Sequence, residues 1–394
     1  MVIQNLQNIK NKSKTLWILI RQEGVFLSLW AIGGWLWFYF LTRVLLFEIL
    51  FQGYYYITSG CTIWHRRLEN GLILWDGYPV LAAFDTFYFP IRITGYLLPW
   101  LWFILVIGLI FAITARRKKL ILFLATPFIV IIIIFLPLFL PQQKKLPQIK
   151  TTFKVMSYNI QYHKRQKDFE KIKDFIHKEK PDILFIQELN PDDIDSLLLP
   201  LHDLYDGNEL HVDIRHDPGH HAIISRYPIQ PVDEITRHKS TQKVILETPV
   251  GSILAWNFHP QHPIPSKRWP FHYTNICTLA RDIRNEKNPL ILAGDFNTTD
   301  QSEGYYIIQK YLKDVHKEIG YGLGFTFPAK KYSALLTPFP GINYSFWLVF
   351  PNHPFVRIDY IFYSQHFHPY SFRILPVATG SDHFPIVAEV SLLE

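Results

Sequence analysis

The chain has 394 residues, of which 49% are hydrophobic and 19% are charged, and its formal net charge is +7. A single domain usually has about 100–200 residues, so this length indicates more than one structural unit. The two cysteines, Cys61 and Cys277, lie far apart in the chain, which excludes a framework of several disulfides and a cysteine-based metal site. We expect both to be small buried or interfacial residues.

Three long apolar runs occupy the first third of the chain, at residues 25–42, 95–115 and 120–140. Each is about as long as the roughly 20 residues that a helix needs to cross a bilayer. The alternative for the first run is a cleaved signal peptide, but this run is too long and too aromatic and lacks a small-x-small cleavage site. We therefore predict a transmembrane region with about three spans over residues 1–140.

Basic residues predict the orientation of these spans. Four consecutive cations at residues 116–119 separate the second and third runs, and the positive-inside rule places such a loop in the cytoplasm. Three crossings from a cytoplasmic N-terminus put everything after residue 140 on the exterior face of the plasma membrane. The stretch 72–89 is an alternative, poorer span, and a fourth crossing there would reverse this assignment.

Charge is divided unevenly along the chain. Residues 1–150 contain 15 Lys and Arg against 5 Asp and Glu, a net of +10, whereas residues 151–394 contain 25 against 28, a net of −3. Proteins that grip a nucleic-acid backbone usually present a cationic surface, because counterion release drives binding. The second part lacks such an excess. Residues 141–150, with two prolines and three lysines, are typical of a linker.

Predicted strands and helices alternate from residue 153 onwards. The first helix of this part places Phe169, Ile172 and Ile176 on one face and stops before Pro181. The pattern predicts an α/β domain over residues 151–394, large enough for two packed sheets flanked by helices. The predicted strands are 153–160, 182–188, 221–229, 252–259, 290–293, 356–364 and 384–390, and the predicted helices are 166–180, 271–285 and 303–313.

Polar side chains stand at the ends of most of these predicted strands. In the segment "LILAGDFN", four apolar residues lead directly into Gly294, Asp295 and Asn297. An Asx turn would explain either polar residue alone. Ligand sites of α/β sheets form at strand ends, so the convergence of carboxylate, amide and imidazole groups there predicts a metal-assisted phosphoryl site. The other residues in such positions are Asn159, Glu188, His259, Asp382 and His383.

Six short motifs follow one another in this part of the chain: "SYNI", "IQE", "NFH", "GDFN", "RIDYIF" and "SDHFP". In order and approximate spacing they resemble the endonuclease/exonuclease/phosphatase superfamily, and the resemblance covers residues 151–394. The preceding spans and the pair His259-Pro260 are similar to its membrane-anchored bacterial members. The resemblance implies an α/β (α+β) four-layer sandwich of two mixed β-sheets flanked by helices. It also implies a divalent cation, normally Mg²⁺ with Mn²⁺ as the alternative.

The resemblance also implies roles for the polar residues nearest the cation. Glu188 is implied as a metal ligand, and hard carboxylate oxygens suit Mg²⁺, which keeps several waters of its own. Asp382 would reach the water shell of the metal. Asn159 would orient Glu188 or contact the same shell. The expected reaction is hydrolysis of a phosphate ester by an activated water molecule.

The remaining motif residues would act on the water and the phosphate. Asp295 would position or deprotonate the attacking water, and Asn297 would donate to a phosphate oxygen. Asp359 would hold His383 and raise its proton affinity, so that the protonated imidazole of His383 contacts the scissile phosphate. His259 would stabilise the transferred phosphoryl group or protonate the leaving group, with His262 as a competitor for this role.

Two arginines, a histidine pair and an aromatic segment near these motifs are not assigned to the catalytic or metal site. We expect Arg226 and Arg357 to be structural ion-pair partners rather than phosphate clamps. The pair His220-His221 departs from the family pattern and is a candidate for the lining of the substrate cleft. The aromatic segment 339–355 is interpreted as core plus a hairpin, the alternative being an exposed Phe346 and Trp347 that enter a membrane interface or stack on a base.

Three functions are compatible with the sequence. The leading one is a membrane-anchored, divalent-metal-dependent phosphoesterase that hydrolyses a phosphodiester or a phosphomonoester by an activated water molecule, with the substrate left open between a phospholipid head group and other phosphate esters. The second is a nuclease acting on DNA or RNA. The third is a catalytically inactive, membrane-bound binding module, which the intact acidic and histidine residues disfavour. The expected partners are the lipid bilayer and a phosphate-ester substrate, and the sequence identifies no protein partner.

Overall fold

The computed structural model forms two compact units, one that contains most of the apolar helices and one that contains the two large β-sheets. The structure describes residues 23–41, 65–69, 72–76, 79–140, 151–161, 166–189, 211–214, 220–232, 240–263, 268–330, 332–336, 346–350, 354–377 and 379–393.

Three segments of the described chain are long and apolar enough to cross a membrane, as the sequence predicted. They lie in helices α1 (Glu23–Leu41), α2 (Pro79–Thr114) and α3 (Lys118–Phe135), the last being followed by a 3-10 turn, Leu136–Phe139. The apolar segments themselves are Glu23–Leu41, Thr94–Thr114 and Lys118–Phe139.

The stretch 72–89 does not form a helix of its own. Its first part, Leu72–Asp76, is strand β2, which pairs antiparallel with β1 (His65–Glu69). Helix α2 begins at Pro79 and continues without interruption into the second apolar segment. Within the part of the chain that the structure describes, the number of candidate spans is therefore three.

The first large sheet has six strands in the order β15-β16-β3-β4-β6-β5. Strands β3 and β4 are parallel and the other neighbours are antiparallel, so the sheet is mixed. The strands are β3 (Thr152–Asn159), β4 (Ile183–Gln187), β5 (His211–Ile214), β6 (Ala222–Ser225), β15 (Phe367–Ile374) and β16 (Ile386–Leu392).

The second large sheet also has six strands, in the order β11-β14-β10-β9-β8-β7. It is mixed as well, because β9 and β10 are parallel while the other neighbours run antiparallel. The strands are β7 (Ile229–Pro231), β8 (Thr241–Thr248), β9 (Gly251–Phe258), β10 (Leu290–Asp295), β11 (Lys313–Asp314) and β14 (Asp359–Tyr363).

The two sheets pack face to face through one apolar core. Successive side chains of a strand point to opposite faces, and in β3 this puts Val155 in the core between the sheets and Met156 on the outer face. The core between the sheets also contains Ile183 of β4, Val244 of β8 and Ile291 of β10. Each sheet therefore contributes one apolar face to a common interior.

Helices cover the outer faces of both sheets. Helix α4 (Gln166–Glu179) packs Ile172 and Ile176, one turn apart, against the outer face of the first sheet. Helix α5 (Trp269–Asn285) lies over the second sheet, where the Nζ atom of Lys243 in β8 is 2.8 Å from Oδ2 of Asp282. The predicted four-layer sandwich of two mixed sheets flanked by helices is confirmed.

Several predicted elements have different bounds in the structure. The predicted strand 221–229 is divided into β6 and β7 by a bend in which the backbone N–H of Tyr227 donates to the Ser225 hydroxyl. The predicted helix 303–313 ends early, as α6 (Glu303–Gln309), and is followed by β11 and the short helix α7 (Val315–Ile319). Strands β5, β8 and β15 were not predicted, because their polar residues obscure a period-two pattern.

The structure also describes Cys277 and part of the aromatic segment 339–355. The expectation that Cys277 is simply a small buried residue was incomplete, because this residue is buried in α5 but is also disulfide-bonded. Strands β12 (Tyr332–Leu336) and β13 (Phe346–Phe350) pair antiparallel, but only β13 belongs to the segment 339–355, so the hairpin expected within that segment stays a prediction. The surroundings of the Phe346, Trp347 and Phe169 side chains lie outside what the structure describes.

Candidate active site

Gly294 positions the acidic tip of strand β10. Its φ angle is +146°, and a Cβ atom added there would lie 2.0 Å from the carbonyl oxygen of Phe258. Only glycine combines this backbone conformation with such a close approach to a neighbouring strand. The next residue, Asp295, is therefore delivered to the end of the sheet, where it pairs with Asp359 in the register of β14.

The carboxylate of Asp295 is the centre of the site. Nδ2 of Asn159, at the end of β3, donates to Oδ2 of Asp295 at 3.0 Å and to Oε1 of Glu188 at 3.1 Å. Asn159 and Asp295 belong to different sheets, so this one amide links the ends of both. Asn159 is placed where the sequence predicted, beside Glu188.

His259 approaches the same two carboxylates from the end of β9. Its Nε2 atom lies 3.5 Å from Oε1 of Glu188 and 3.6 Å from Oδ2 of Asp295. His262, the competing candidate, is exposed and its Nε2 contacts the guanidinium of Arg268. The geometry favours His259 over His262 as the histidine of this motif.

His383 lies on the other side of Asp295 and is held by Asp359. Nδ1 of His383 is 3.0 Å from Oδ2 of Asp359 and 3.2 Å from its Oδ1, whereas Nε2 faces Oδ2 of Asp295 at 3.7 Å. Both carboxylates and the imidazole are buried. The hydrogen bond to Asp359 fixes the ring so that its second nitrogen points at the centre of the site.

Asp382 stands beside His383 but is oriented by another residue. Oδ1 of Asp382 lies 3.9 Å from Nε2 of His383, and Oδ2 accepts a hydrogen bond of 2.7 Å from Nε2 of Gln161. The hydroxyl of Ser381 donates to the carbonyl oxygen of Asn159 at 2.7 Å and accepts from the backbone N–H of His383 at 3.0 Å. Ser381 thus ties the "SDHFP" loop to the end of β3.

Asn297 combines a turn with a place at the site. Its φ angle is +50°, and its backbone N–H donates to Oδ1 of Asp295 at 2.8 Å, which is the Asx turn considered above. Its Nδ2 atom lies 3.1 Å from the carbonyl oxygen of Pro260 and 3.3 Å from Oδ2 of Asp295. The turn holds the amide against the central carboxylate, so the local and the functional interpretations are compatible.

Burial and the neighbouring charges determine the protonation of Asp295 and His383. Burial raises the pKa of Asp295 to about 6, although the neighbouring His383 opposes this rise. Burial lowers the pKa of His383, but the carboxylates of Asp359 and Asp295 outweigh it and hold that pKa well above its usual value. Near neutral pH the site therefore contains a weakly basic carboxylate next to an imidazolium.

The side chains around Asp295 fit a hard divalent cation. One ligand atom each from Glu188, His259 and Asp295 lies within 4.8 Å of the others, and the same holds for Asp295, Asp359 and His383. In the second group the Nδ1 atom of His383 is already bonded to Asp359, so the first group is the better candidate. Asp382 belongs to neither group, and its predicted contact with the metal's water shell stays a prediction.

Three further residues lie next to the site, of which Gln187 and Phe327 were not found from the sequence. Gln187 donates from Nε2 to Oδ1 of Asn257 at 2.7 Å, which joins the two sheets one residue before Glu188. The Phe327 ring lies against the imidazole of His383, with centroids 4.9 Å apart. His221 is buried, and its ring centroid lies 6.0 Å from that of His259. Gln187 is part of the "IQE" motif, whereas no sequence signal indicates Phe327.

The predicted structural role of the two arginines is confirmed. Arg226 is 2.9 Å from Oδ1 of Asp182, at a partly exposed position. Arg357 is buried, with its guanidinium nitrogens 3.1 Å from Asp300 and 2.7 Å from Asp314. Each guanidinium is thus paired with one or two carboxylates of the scaffold.

Comparison with known proteins identifies the family. Residues 156–383 match the sequence profile described as the Endonuclease/Exonuclease/phosphatase family, which is more than half of the chain. The chain belongs to the endonuclease/exonuclease/phosphatase family. All eight predicted site residues of this family member lie within the matched region. No curated protein sequence matches the chain.

Solved structures similar to this family member come from bacteria and from animals. One is an endonuclease/exonuclease/phosphatase family protein from Bacteroides thetaiotaomicron, with 20% identity, coverage of 61% of this chain and 98% of the other, and a TM-score of 0.45. The human Nocturnin catalytic domain with bound sulfate has 18% identity, coverage of 61% and 94%, and a TM-score of 0.44. A mannosyl-6-phosphatase from Bacteroides thetaiotaomicron has 20% identity, coverage of 61% and 100%, and a TM-score of 0.41.

Proposed function

We propose that this protein is a membrane-anchored, divalent-metal-dependent phosphoesterase. The observation that carries the proposal is the convergence on Oδ2 of Asp295, which the amide of Asn159 contacts at 3.0 Å and which His259 and His383 face at 3.6 Å and 3.7 Å. These groups come from the ends of strands in both sheets. A carboxylate surrounded by nitrogen donors in this way is suited to handling a proton next to an anionic substrate.

Asp295 is the residue that would activate water. A general base works best when its pKa lies near the working pH, and burial raises the pKa of this carboxyl to about 6. The proton removed from the attacking water passes to Oδ2 of Asp295 as the new phosphorus–oxygen bond forms. Asn159 and the Asn297 amide keep the carboxylate in place, because both donate to it.

His383 and His259 would act on the phosphate. His383 is held cationic by Asp359, so its Nε2–H can donate to a non-bridging phosphate oxygen as negative charge develops there. His259 would donate to the oxygen of the departing group as the ester bond breaks. The Nδ2 group of Asn297 would donate a hydrogen bond to a phosphate oxygen after it leaves the carbonyl oxygen of Pro260.

Glu188 is the residue that would hold the metal directly, and water molecules would complete the coordination of the ion. Four carboxylates lie in or beside the site, namely Glu188, Asp295, Asp359 and Asp382, and a group of carboxylates without a cation repels a phosphate. When bound, Mg²⁺ would neutralise charge on the phosphate oxygens during the displacement. Asp382 would contact the water shell of the same ion.

A phospholipid head group or a similar phosphodiester near the bilayer is the proposed substrate class. The three candidate spans would keep the domain at a membrane surface. Residues 151–394 carry 25 Lys and Arg against 28 Asp and Glu, a net of −3, so long-range attraction to a polyanionic nucleic acid is weak. The proposed location is the plasma membrane with the catalytic domain on the exterior face.

A substrate panel tests this proposal. Full-length protein in detergent would be assayed with Mg²⁺ against sphingomyelin, phosphoinositides, a single-stranded oligonucleotide and plasmid DNA. We expect turnover of a lipid substrate that depends on Mg²⁺ and is lost in Asp295→Asn and His383→Ala. The surface variant Glu170→Gln is the matched control, because Glu170 is an exposed partner of Lys173.

The panel also separates the alternatives. Turnover of DNA or RNA alone, with a steep decrease as salt rises, would make the protein a nuclease. Identical signals from wild type, Asp295→Asn and His383→Ala on every substrate would remove the enzymatic interpretation and favour a binding module.

A further inference from the structure

Helix α5, which contacts the loop containing Phe296 through His272, also carries a disulfide-bonded cysteine. Cys277 is buried in α5 and is disulfide-bonded. The chain contains two cysteines, and the other one, Cys61, lies outside the described residues. We propose that Cys61 and Cys277 form an intrachain disulfide, and that the catalytic domain therefore faces an oxidising compartment outside the cytoplasm.

The positions of the two cysteines relative to the spans are compatible with such a bond. Cys61 follows the candidate span Glu23–Leu41, and Cys277 follows the candidate span Lys118–Phe139. Two spans separate the cysteines, so both face the same side of the membrane in either orientation. An additional crossing at residues 72–89 would put three spans between them and would place the two thiols on opposite sides.

Redox chemistry then selects the side. Stable disulfides persist in oxidising compartments and are rare in the cytosol, where thiols are kept reduced. Formation of this bond removes two electrons and two protons from the two thiols, which a protein disulfide oxidant of the exterior compartment accepts as it is reduced to a dithiol. The basic loop at residues 116–119 independently places the cysteines outside, because one span separates that loop from each of them.

The bond is also connected to the site through α5. His272 lies on this helix, and its Nε2 is 3.0 Å from the carbonyl oxygen of Phe296, between Asp295 and Asn297. Ile276, next to Cys277, packs so closely on α6 that a Cβ atom on Gly304 would lie 2.5 Å from its Cδ1. The proposed disulfide would therefore tie Cys61 to the helix that contacts the loop containing Phe296.

Thiol trapping tests the bond itself. Full-length protein would be expressed in a bacterial host with an oxidising periplasm, quenched in acid, denatured, and treated with a maleimide of high mass before and after reduction. We expect two added masses in the wild type only after reduction. Cys61→Ser and Cys277→Ser should each gain one mass without reduction. Two masses on the unreduced wild type, or a blocked Cys277 in Cys61→Ser, would overturn the proposal.

Reporter cysteines test the side of the membrane. In a Cys61→Ser/Cys277→Ser background, Lys287→Cys reports on the exposed turn after α5 and Arg116→Cys reports on the exposed basic loop. With an impermeant maleimide on spheroplasts, we expect Lys287→Cys to react at once and Arg116→Cys only after permeabilisation. The reverse order would overturn the assignment. Neither readout uses phosphoesterase activity, so failure here is distinguishable from failure of the proposed reaction.

Discussion

Nδ1 of His383 donates to the carboxylate of Asp359 at 3.0 Å, although the two residues lie 24 positions apart in the chain. Asp359 is at the start of β14 in the second sheet, and His383 precedes β16 in the first. The contact therefore crosses between the two sheets, and it fixes both the orientation and the charge of the imidazole.

Removal of the charge on Asp359 should weaken catalysis without removing the side chain. In Asp359→Asn, the pKa of His383 should fall, because the carboxylate that raises it most is gone while burial still lowers it. We expect kcat to decrease by about 10²–10⁴-fold and the alkaline limb of the kcat profile to move to lower pH. A pH profile from 5 to 10 measures both effects. An unchanged alkaline limb would show that His383 does not depend on this contact.

Substitution of Glu188 should weaken metal binding. Glu188→Gln keeps the size of the side chain but removes the negative charge that a hard cation needs. We expect the Mg²⁺ concentration for half-maximal activity to rise by at least about tenfold, and titration calorimetry should show the same loss of affinity. Glu170→Gln, the same change at an exposed ion pair with Lys173, should behave like the wild type. Equal Mg²⁺ dependence in both variants would exclude Glu188 as the ligand.

The two histidines after β9 should respond differently to alanine. His259 faces Glu188 and Asp295 at 3.5 Å and 3.6 Å, so His259→Ala should lower kcat/KM by about 10²-fold or more. His262 is exposed and contacts Arg268 instead, so His262→Ala should stay within about twofold of the wild type. Steady-state kinetics on one substrate compares them directly. A larger loss in His262→Ala would reverse the assignment.

A pair of glycine variants separates backbone strain from steric overlap. Gly294 and Gly251 both have positive φ, +146° and +117°, but only at Gly294 would an added Cβ meet another atom, the carbonyl oxygen of Phe258 at 2.0 Å. Each Gly→Ala change should cost about 1–3 kcal/mol of backbone strain, and Gly294→Ala should cost at least about 2 kcal/mol more. Thermal unfolding in detergent measures the difference. Equal losses would mean that the close approach is relaxed in solution.

The buried His316 should make stability depend on pH. Burial and, to a smaller extent, the nearby Arg357 lower its pKa to about 4, although the carboxylates of Asp314 and Asp300 oppose this. The unfolded chain, with a usual value near 6.5, binds the proton more readily, so stability is complete above about pH 6.5 and falls towards pH 4, by about 3 kcal/mol. His316→Gln should flatten the dependence of Tm on pH in this window, whereas the exposed His177→Gln should not. A parallel decrease in all three proteins would exclude His316 as the cause.

The strand-end motifs were predictable from the sequence because each is local. A polar residue that directly follows a buried strand lies at the end of that strand, whichever strands pair with it. Asn159, Glu188 and Asp295 could therefore be found without a structure. The apolar runs were predictable for the same reason, since about 20 apolar residues suffice to cross a bilayer. Strand β15 could not be found, because an edge strand containing Pro369 lacks the apolar alternation of an interior strand.

The sequence by itself determined the family, the three apolar segments and the residue types that meet at the strand ends. Only the tertiary structure decided that His259 rather than His262 faces the carboxylates, that Gln161 orients Asp382, and that a disulfide involves Cys277. The physical reason is that distance, burial and pKa depend on residues brought together from remote parts of the chain. Local patterns indicate which groups are available, and the packing of the two sheets determines which of them touch.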